Sequence, residues 1–177
     1  MVAINQQDIQ AQLAIGDNGN AAEKGAALES VVAQTFCLFD GVGQLYCNVK
    51  DDDGSLEIDI ILYNQAHVAG FPFLPNYIII ECKNWQHPVN AATLRAFTSK
   101  LRSMRLKFGL LVASNGITGN AEDVTNAHAH LRDEFKMDGL IVLVLTRAEL
   151  EGAASTDELG ALVRGKFGKF LMGMAAF

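Results

Sequence analysis

Leu28, Val32, Phe36 and Phe39 recur every three or four positions, which predicts a helix over Ala22–Phe39. Gly41-Val-Gly43 interrupts that period. Beyond it, Gln44–Val49 and Ser55–Tyr63 read as strands, and the Asp51-Asp-Asp-Gly54 run between them is a hairpin signal. Tyr77-Ile-Ile-Ile80 opens a strand apolar on both faces that runs to about Lys83. After Pro88 the helical period returns over Ala91–Lys107, with a stripe of Leu94, Phe97, Leu101 and Met104. Gly109–Ser114 reads as a short buried strand and Asn115-Gly-Ile-Thr-Gly119 as a loop. A helix follows over Asn120–Lys136, with Val124, Ala127, Leu131 and Phe135 inward. Leu140–Leu145 is a further strand and Thr156–Met172 a closing helix. Residues 1–20 read as a peripheral extension and residues 21–177 as a single domain. The order is helix, three strands, helix, strand, helix, strand. A hairpin at one end and helical crossovers at the other make a mixed-sheet α/β domain.

Composition narrows this further. A chain of 177 residues, half of them hydrophobic and 19% charged, has enough apolar surface for one real core and is not a disordered solvating chain. The longest aliphatic run, Leu140–Leu145, is far too short to span a bilayer, so no membrane association is expected. Met1–Asp8 has neither a basic start nor an apolar stretch, so no secretion signal is expected. Three cysteines without a CxxC pair point to a reducing cytoplasm and to ordinary buried thiols.

The net charge of −6 argues against a sequence-independent coat on DNA. It conceals a segregation. Residues 1–82 sum to −9, residues 83–121 contain no acid and sum to +6, and residues 122–177 sum to −3. Arg95, Lys100, Arg102, Arg105 and Lys107 flank the apolar stripe of their helix and are candidate phosphate contacts, although a solvated helix face has the same signature.

Chemistry concentrates at two strand ends. Glu81 and Lys83 alternate with Cys82 and so project from one face, at the end of an isoleucine-rich strand. Buried charges are retained where they are paired or bind metal. If the preceding strand is adjacent, Asp59 sits beside Glu81, and two neighbouring carboxylates repel unless a cation lies between them. Mg²⁺ suits such a pair because it takes oxygen ligands and keeps several waters. Lys83 then orients or deprotonates the attacking water, or stabilises charge on a phosphate. Glu29 borders the first helix's apolar stripe, where its carboxylate can ligate a second metal or hold Lys83. The plain alternative is a structural ion-pair cluster. Glu57 shares the Asp59 face but reads as solvated, Asp51–Asp53 as turn residues, and His128 as a core histidine rather than half of a metal pair with His130. Trp85 is placed either to stack on a nucleotide or to pack under its loop.

Lys24-Gly-Ala-Ala-Leu-Glu29, then Glu57-Ile-Asp59, then Glu81-Cys-Lys83-Asn-Trp85 resembles the PD-(D/E)XK nuclease superfamily, and within it the Mrr-like restriction endonuclease catalytic domains. The resemblance runs from about Lys24 to Ala121 and includes the Ser114-Asn-Gly-Ile-Thr118 loop. It implies a restriction-endonuclease-like three-layer sandwich around a mixed sheet. It also implies hydrolysis of DNA phosphodiester bonds with Mg²⁺, or Mn²⁺ in its place. Asp59 and Glu81 would be the metal ligands, with the Cys82 backbone carbonyl as a third. Lys83 would handle the water and Glu29 would be an auxiliary acid. Read from the residues alone, Asn115 and Thr118 either contact phosphate or shape a turn. Ile58 takes the place of the family's leading proline, and the Gln/Tyr helix signature of RecB-like exonucleases is not evident in Ala91–Lys107. With no winged helix in the first 20 residues, target selection is expected from a homodimer, a separate recognition subunit or the C-terminal third. A catalytically silent binding or assembly module of the same fold, or a structure-selective nuclease such as a junction resolvase, are the alternatives.

Overall fold

The computed structural model describes residues 1–52, 54, 56–119 and 127–173. Five strands, β1 (Val42–Lys50), β2 (Glu57–Asn64), β3 (Tyr77–Lys83), β4 (Phe108–Ala113) and β5 (Ile141–Thr146), lie side by side in chain order. The first two contacts are antiparallel and the last two parallel. The hairpin accounts for the first of these, between β1 and β2. Gly54 takes a left-handed φ of 71°, and Asp51 Oδ1 accepts the Leu56 N–H at 2.9 Å. Parallel neighbours need a crossover, which α3 (Ala91–Ser103) supplies between β3 and β4.

The other helices are α1 (Gln6–Asp17), α2 (Ala21–Phe36), α4 (Ala127–Asp138), α5 (Arg147–Gly152) and α6 (Thr156–Leu171). α3 covers the sheet face shared by Ile79, Glu81 and Gly109. A Cβ on Gly109 would stand 2.7 Å from Leu101 and 2.8 Å from Phe97, so only glycine lets this helix lie so close. α2 lies on the opposite face, where Asn84 on the Cys82 side donates to the Lys24 carbonyl at 3.0 Å. There Phe36, Phe39 and Phe71 stack, the last two with centroids 4.2 Å apart. β4 is buried along its whole length, as a strand covered on both faces must be. The result is the three-layer mixed sandwich expected from the sequence.

Several details differ from the sequence reading. Residues 1–20 include α1, whose Ile9 and Leu13 are buried, and Ile4 N–H donates to the Ala154 carbonyl at 2.9 Å. α5, where no helix was expected, is started by a reciprocal cap between Thr146 and Glu149. The helix expected to reach Lys107 stops at Ser103, with Arg105 in the left-handed region at φ 57°. Cys37, just past the end of α2, and Cys47, on the edge strand β1, are exposed rather than buried; Cys82 alone is buried. The expected helix from Asn120 is described from Ala127 onward, and its first seven positions, Val124 among them, lie outside the described residues, as do Asp53 and Ser55 of the hairpin.

Candidate active site

The β2–β3 ladder runs from Tyr63↔Tyr77 to Ile60↔Ile80 and stops there. One step further the register would bring Asp59 opposite Glu81, so the two carboxylates fall where the strands part. The separation leaves the Cys82 N–H without a strand partner, and Asp59 Oδ2 accepts it at 2.7 Å. Ile61 and Ile79 pair in the ladder two residues back, so Asp59 and Glu81 share their face. Both acids are buried, at 8% and 6% exposure, on a sheet otherwise lined by isoleucines.

Lys83 joins them. Its Nζ lies 2.7 Å from Glu81 Oε1 and 3.7 Å from Asp59 Oδ2. One ammonium therefore reaches both carboxylates, and their oxygens are no further apart than those two lengths laid end to end. Lys100, one of the five basic residues considered as phosphate contacts, turns inward from α3, and its Nζ lies 2.8 Å from Glu81 Oε2. Each Glu81 oxygen thus holds its own ammonium.

The electrostatics follow from burial and proximity. Burial, and then the charge of Glu81, lift the Asp59 carboxyl above its ordinary value; the Cys82 N–H and the two lysines offset this only in part. Burial alone would pull the Lys83 ammonium down, but the charge and hydrogen bond of Glu81, with Asp59 behind, outweigh it and raise it. Lys83 is accordingly an ammonium at neutral pH. Burial lifts the Cys82 thiol well above its usual range, which leaves the sulfur inert.

Glu29 does not pair with Lys83 directly. Its Oε2 accepts the Asn48 side-chain N–H at 2.8 Å. Asn48 lies between the pairs Cys47↔Ile60 and Val49↔Ile58, hence across from Asp59, and its left-handed φ of 51° suits an asparagine. Burial raises the Glu29 carboxyl, Asn48 draws it down, and the charge of Asp59 pushes it up again. Glu57 stays outside and pairs with Lys50 at 3.3 Å on the surface.

Asn84, the residue after Lys83, accepts the Ser114 hydroxyl at 2.7 Å while donating to Lys24. Asn115 donates to the Trp85 carbonyl at 2.6 Å. These bonds tie the loop after β4 to the end of β3 and to α2. They form one wall of a cleft of about 330 Å³ lined by Lys24, Trp85, Ser114, Asn115 and Arg147. Sequence reasoning did not single out Asn48 or Asn84 and did not place Lys100 inward. Only the hairpin register, which puts Asn48 across from Asp59, offered a signal for any of them.

The family model described as restriction endonuclease, its Mrr-type catalytic domain, matches residues 21–150. The chain belongs to this restriction endonuclease family. No curated protein matches it. The family is one of nucleases, and its matched span takes in α2, all five strands and the Asp59–Glu81–Lys83 cluster. Among the described residues of this restriction endonuclease domain, no helix is long and apolar enough to cross a membrane.

The basic residues of the domain divide. Lys100 serves Glu81. Arg102 serves Glu134 and, at 3.0 Å, Asp138, both on α4. Arg95, Arg105 and Lys107 are exposed and form no ion pair among the described residues. His128 is buried and burial lowers its basicity; His130 lies 3.1 Å from the Thr98 hydroxyl and so ties α4 to α3.

Proposed function

We propose that this protein is a divalent-cation-dependent endonuclease that hydrolyses phosphodiester bonds in DNA, with Asp59 and Glu81 as the cation ligands. One observation carries the reading: two buried carboxylates converge where β2 and β3 part, joined by the ammonium of Lys83. Among the described residues, no three acidic, histidine or cysteine side chains converge into a complete metal cage. Asp59 Oδ1 accepts no hydrogen bond among the described residues. Two carboxylates, a backbone carbonyl at Cys82 and water make up a donor set of oxygens alone, which fits Mg²⁺ or Mn²⁺. The cation supplies polarisation of a phosphoryl oxygen and a more acidic water.

The remaining work falls to this chain's own groups. Lys83 stands beside both ligands, where its N–H groups hold the attacking water and meet negative charge developing on the phosphate. Glu29 and Asn48 fix the edge nearest Asp59. Arg95, Arg105 and Lys107 offer uncommitted cations to the DNA backbone, and Asn115 stands at the mouth of the neighbouring cleft. One such site cuts one strand, so a double-strand break takes a homodimer, a recognition subunit that brings two copies together, or two visits. The exposed free thiols of Cys37 and Cys47 suit a reducing cytoplasm.

Supercoiled plasmid incubated with Mg²⁺ or Mn²⁺ tests the assignment. The native protein should nick or linearise it, and Asp59→Ala and Lys83→Ala should each lose that activity. Undiminished cleavage by both variants would refute these roles. A catalytically silent module is the second reading, favoured by the two lysines that already neutralise Glu81. It would give no cleavage with either cation and no calorimetric Mn²⁺ binding.

A further inference from the structure

Glu81 has both carboxylate oxygens occupied by ammonium groups, Lys83 on Oε1 at 2.7 Å and Lys100 on Oε2 at 2.8 Å. A divalent cation needs at least one of these oxygens. The two lysines are not equivalent. Lys83 is carried by the same strand as Glu81, two residues on, and is shared with Asp59. Lys100 comes from a separate element, α3, and Glu81 is its only ion-pair partner among the described residues. It also has somewhere to go. Beside it lies an open groove of about 590 Å³ between α3 and the β1–β2 hairpin, lined by Asp51, Leu56, Ala96, Ser99, Ser103 and Met104. A lysine stem of four methylenes can lie along that wall with its ammonium in water.

We propose that Lys100 is an internal, displaceable counter-ion. It holds Glu81 neutralised and in place until a divalent cation arrives, and it then yields Oε2 and turns into the groove. This inference rests on the cation-binding reading of Asp59 and Glu81 and adds a positioning residue to it. Three consequences distinguish it from a merely structural ion pair. Removing the Lys100 charge removes a competitor, so the cation binds more tightly. The cation-free protein loses an ion pair to a buried acid, so it melts earlier. Arginine, which keeps the charge, keeps both behaviours near native.

The test is isothermal calorimetry of Mn²⁺ on the chelator-stripped native protein, Lys100→Met and Lys100→Arg, with melting curves before and after Mn²⁺. Methionine keeps most of the stem's packing, so the variant is expected to fold. Since a bond between charged groups is worth about 1.5–3 kcal/mol, Lys100→Met should bind Mn²⁺ at least roughly tenfold more tightly than native. It should also show a lower cation-free melting temperature and a larger rise on adding Mn²⁺, while Lys100→Arg stays within about twofold of native affinity. Equal or weaker Mn²⁺ binding by Lys100→Met overturns the counter-ion role and leaves the cation site standing. Absence of Mn²⁺ binding in the native protein and in both variants overturns the site and the counter-ion role together.

Discussion

Neutralising Glu81 and neutralising Asp59 should move stability in opposite directions, although the two acids are neighbours of similar burial. Glu81→Gln removes the charge to which Lys83 and Lys100 are bonded at 2.7 and 2.8 Å, and leaves both half-buried ammoniums facing only Asp59. Deleting one partner of a buried pair costs about 3–5 kcal/mol, and a charged hydrogen bond about 1.5–3 kcal/mol. Both lysines retain some exposure and Gln can still accept one N–H, so a loss of about 2–4 kcal/mol is expected. For a chain of this size that is a fall of roughly 5–12 °C in melting temperature. Asp59→Asn does the reverse. The Asp59 carboxyl is lifted by burial and by Glu81, which means folding disfavours its charge. The amide removes that charge and keeps an oxygen for the Cys82 N–H, so the melting temperature should hold or rise by a few degrees. The assay is thermal and urea unfolding at pH 7 with chelator present. Equal destabilisation by the two variants, or a Glu81→Gln protein as stable as native, would refute the electrostatic reasoning.

The same acids set a pH dependence. Asp59 and Glu29 bind protons more tightly folded than unfolded, so their contribution to stability falls as pH rises through the window above their ordinary values. On acidification from neutrality the stability gap between Asp59→Asn and native should therefore narrow, and a gap that stays constant from pH 7 to pH 4 in urea titrations would contradict this. Arg102→Ala should lower the melting temperature, because it strips the buried Glu134 of its arginine partner and leaves only His130 beside it, while leaving the salt dependence of DNA binding unchanged. Lys107→Ala should do the opposite, flattening the slope of log affinity against log salt by about one unit in a filter-binding or anisotropy titration without altering stability.

Much of the site was legible because strand alternation fixes which side chains share a face. Glu81 and Lys83 had to project together, whereas the adjacency of their strand to the one carrying Asp59 was only a condition of the reading, which the β2–β3 pairing meets. What the sequence lacked was the third dimension of α3. Lys100 is one of several basic residues flanking an apolar stripe, and nothing local says that its stem bends under the helix to Glu81 while Arg95 stays in solvent. The close seat of α3 on Gly109, which makes the reach possible, is a packing fact spread over three elements. Asn48 is a similar case: it meets Glu29 of a separate helix from a left-handed position on the edge strand, which no local pattern announces. α1 escaped notice because only Ile9 and Leu13 mark its buried side among glutamines, too sparse a stripe to stand out before α2 is in place. α5 escaped because six residues carry less than two turns of pattern.

Crystals soaked in Mn²⁺ and measured at the manganese absorption edge address the central claim most directly. The account expects one anomalous peak between the carboxylates of Asp59 and Glu81, at roughly 2.0–2.3 Å from an oxygen of each, with the Lys100 ammonium withdrawn from Glu81. A peak bound elsewhere, or full occupancy at this site undiminished in Glu81→Gln crystals, would contradict it.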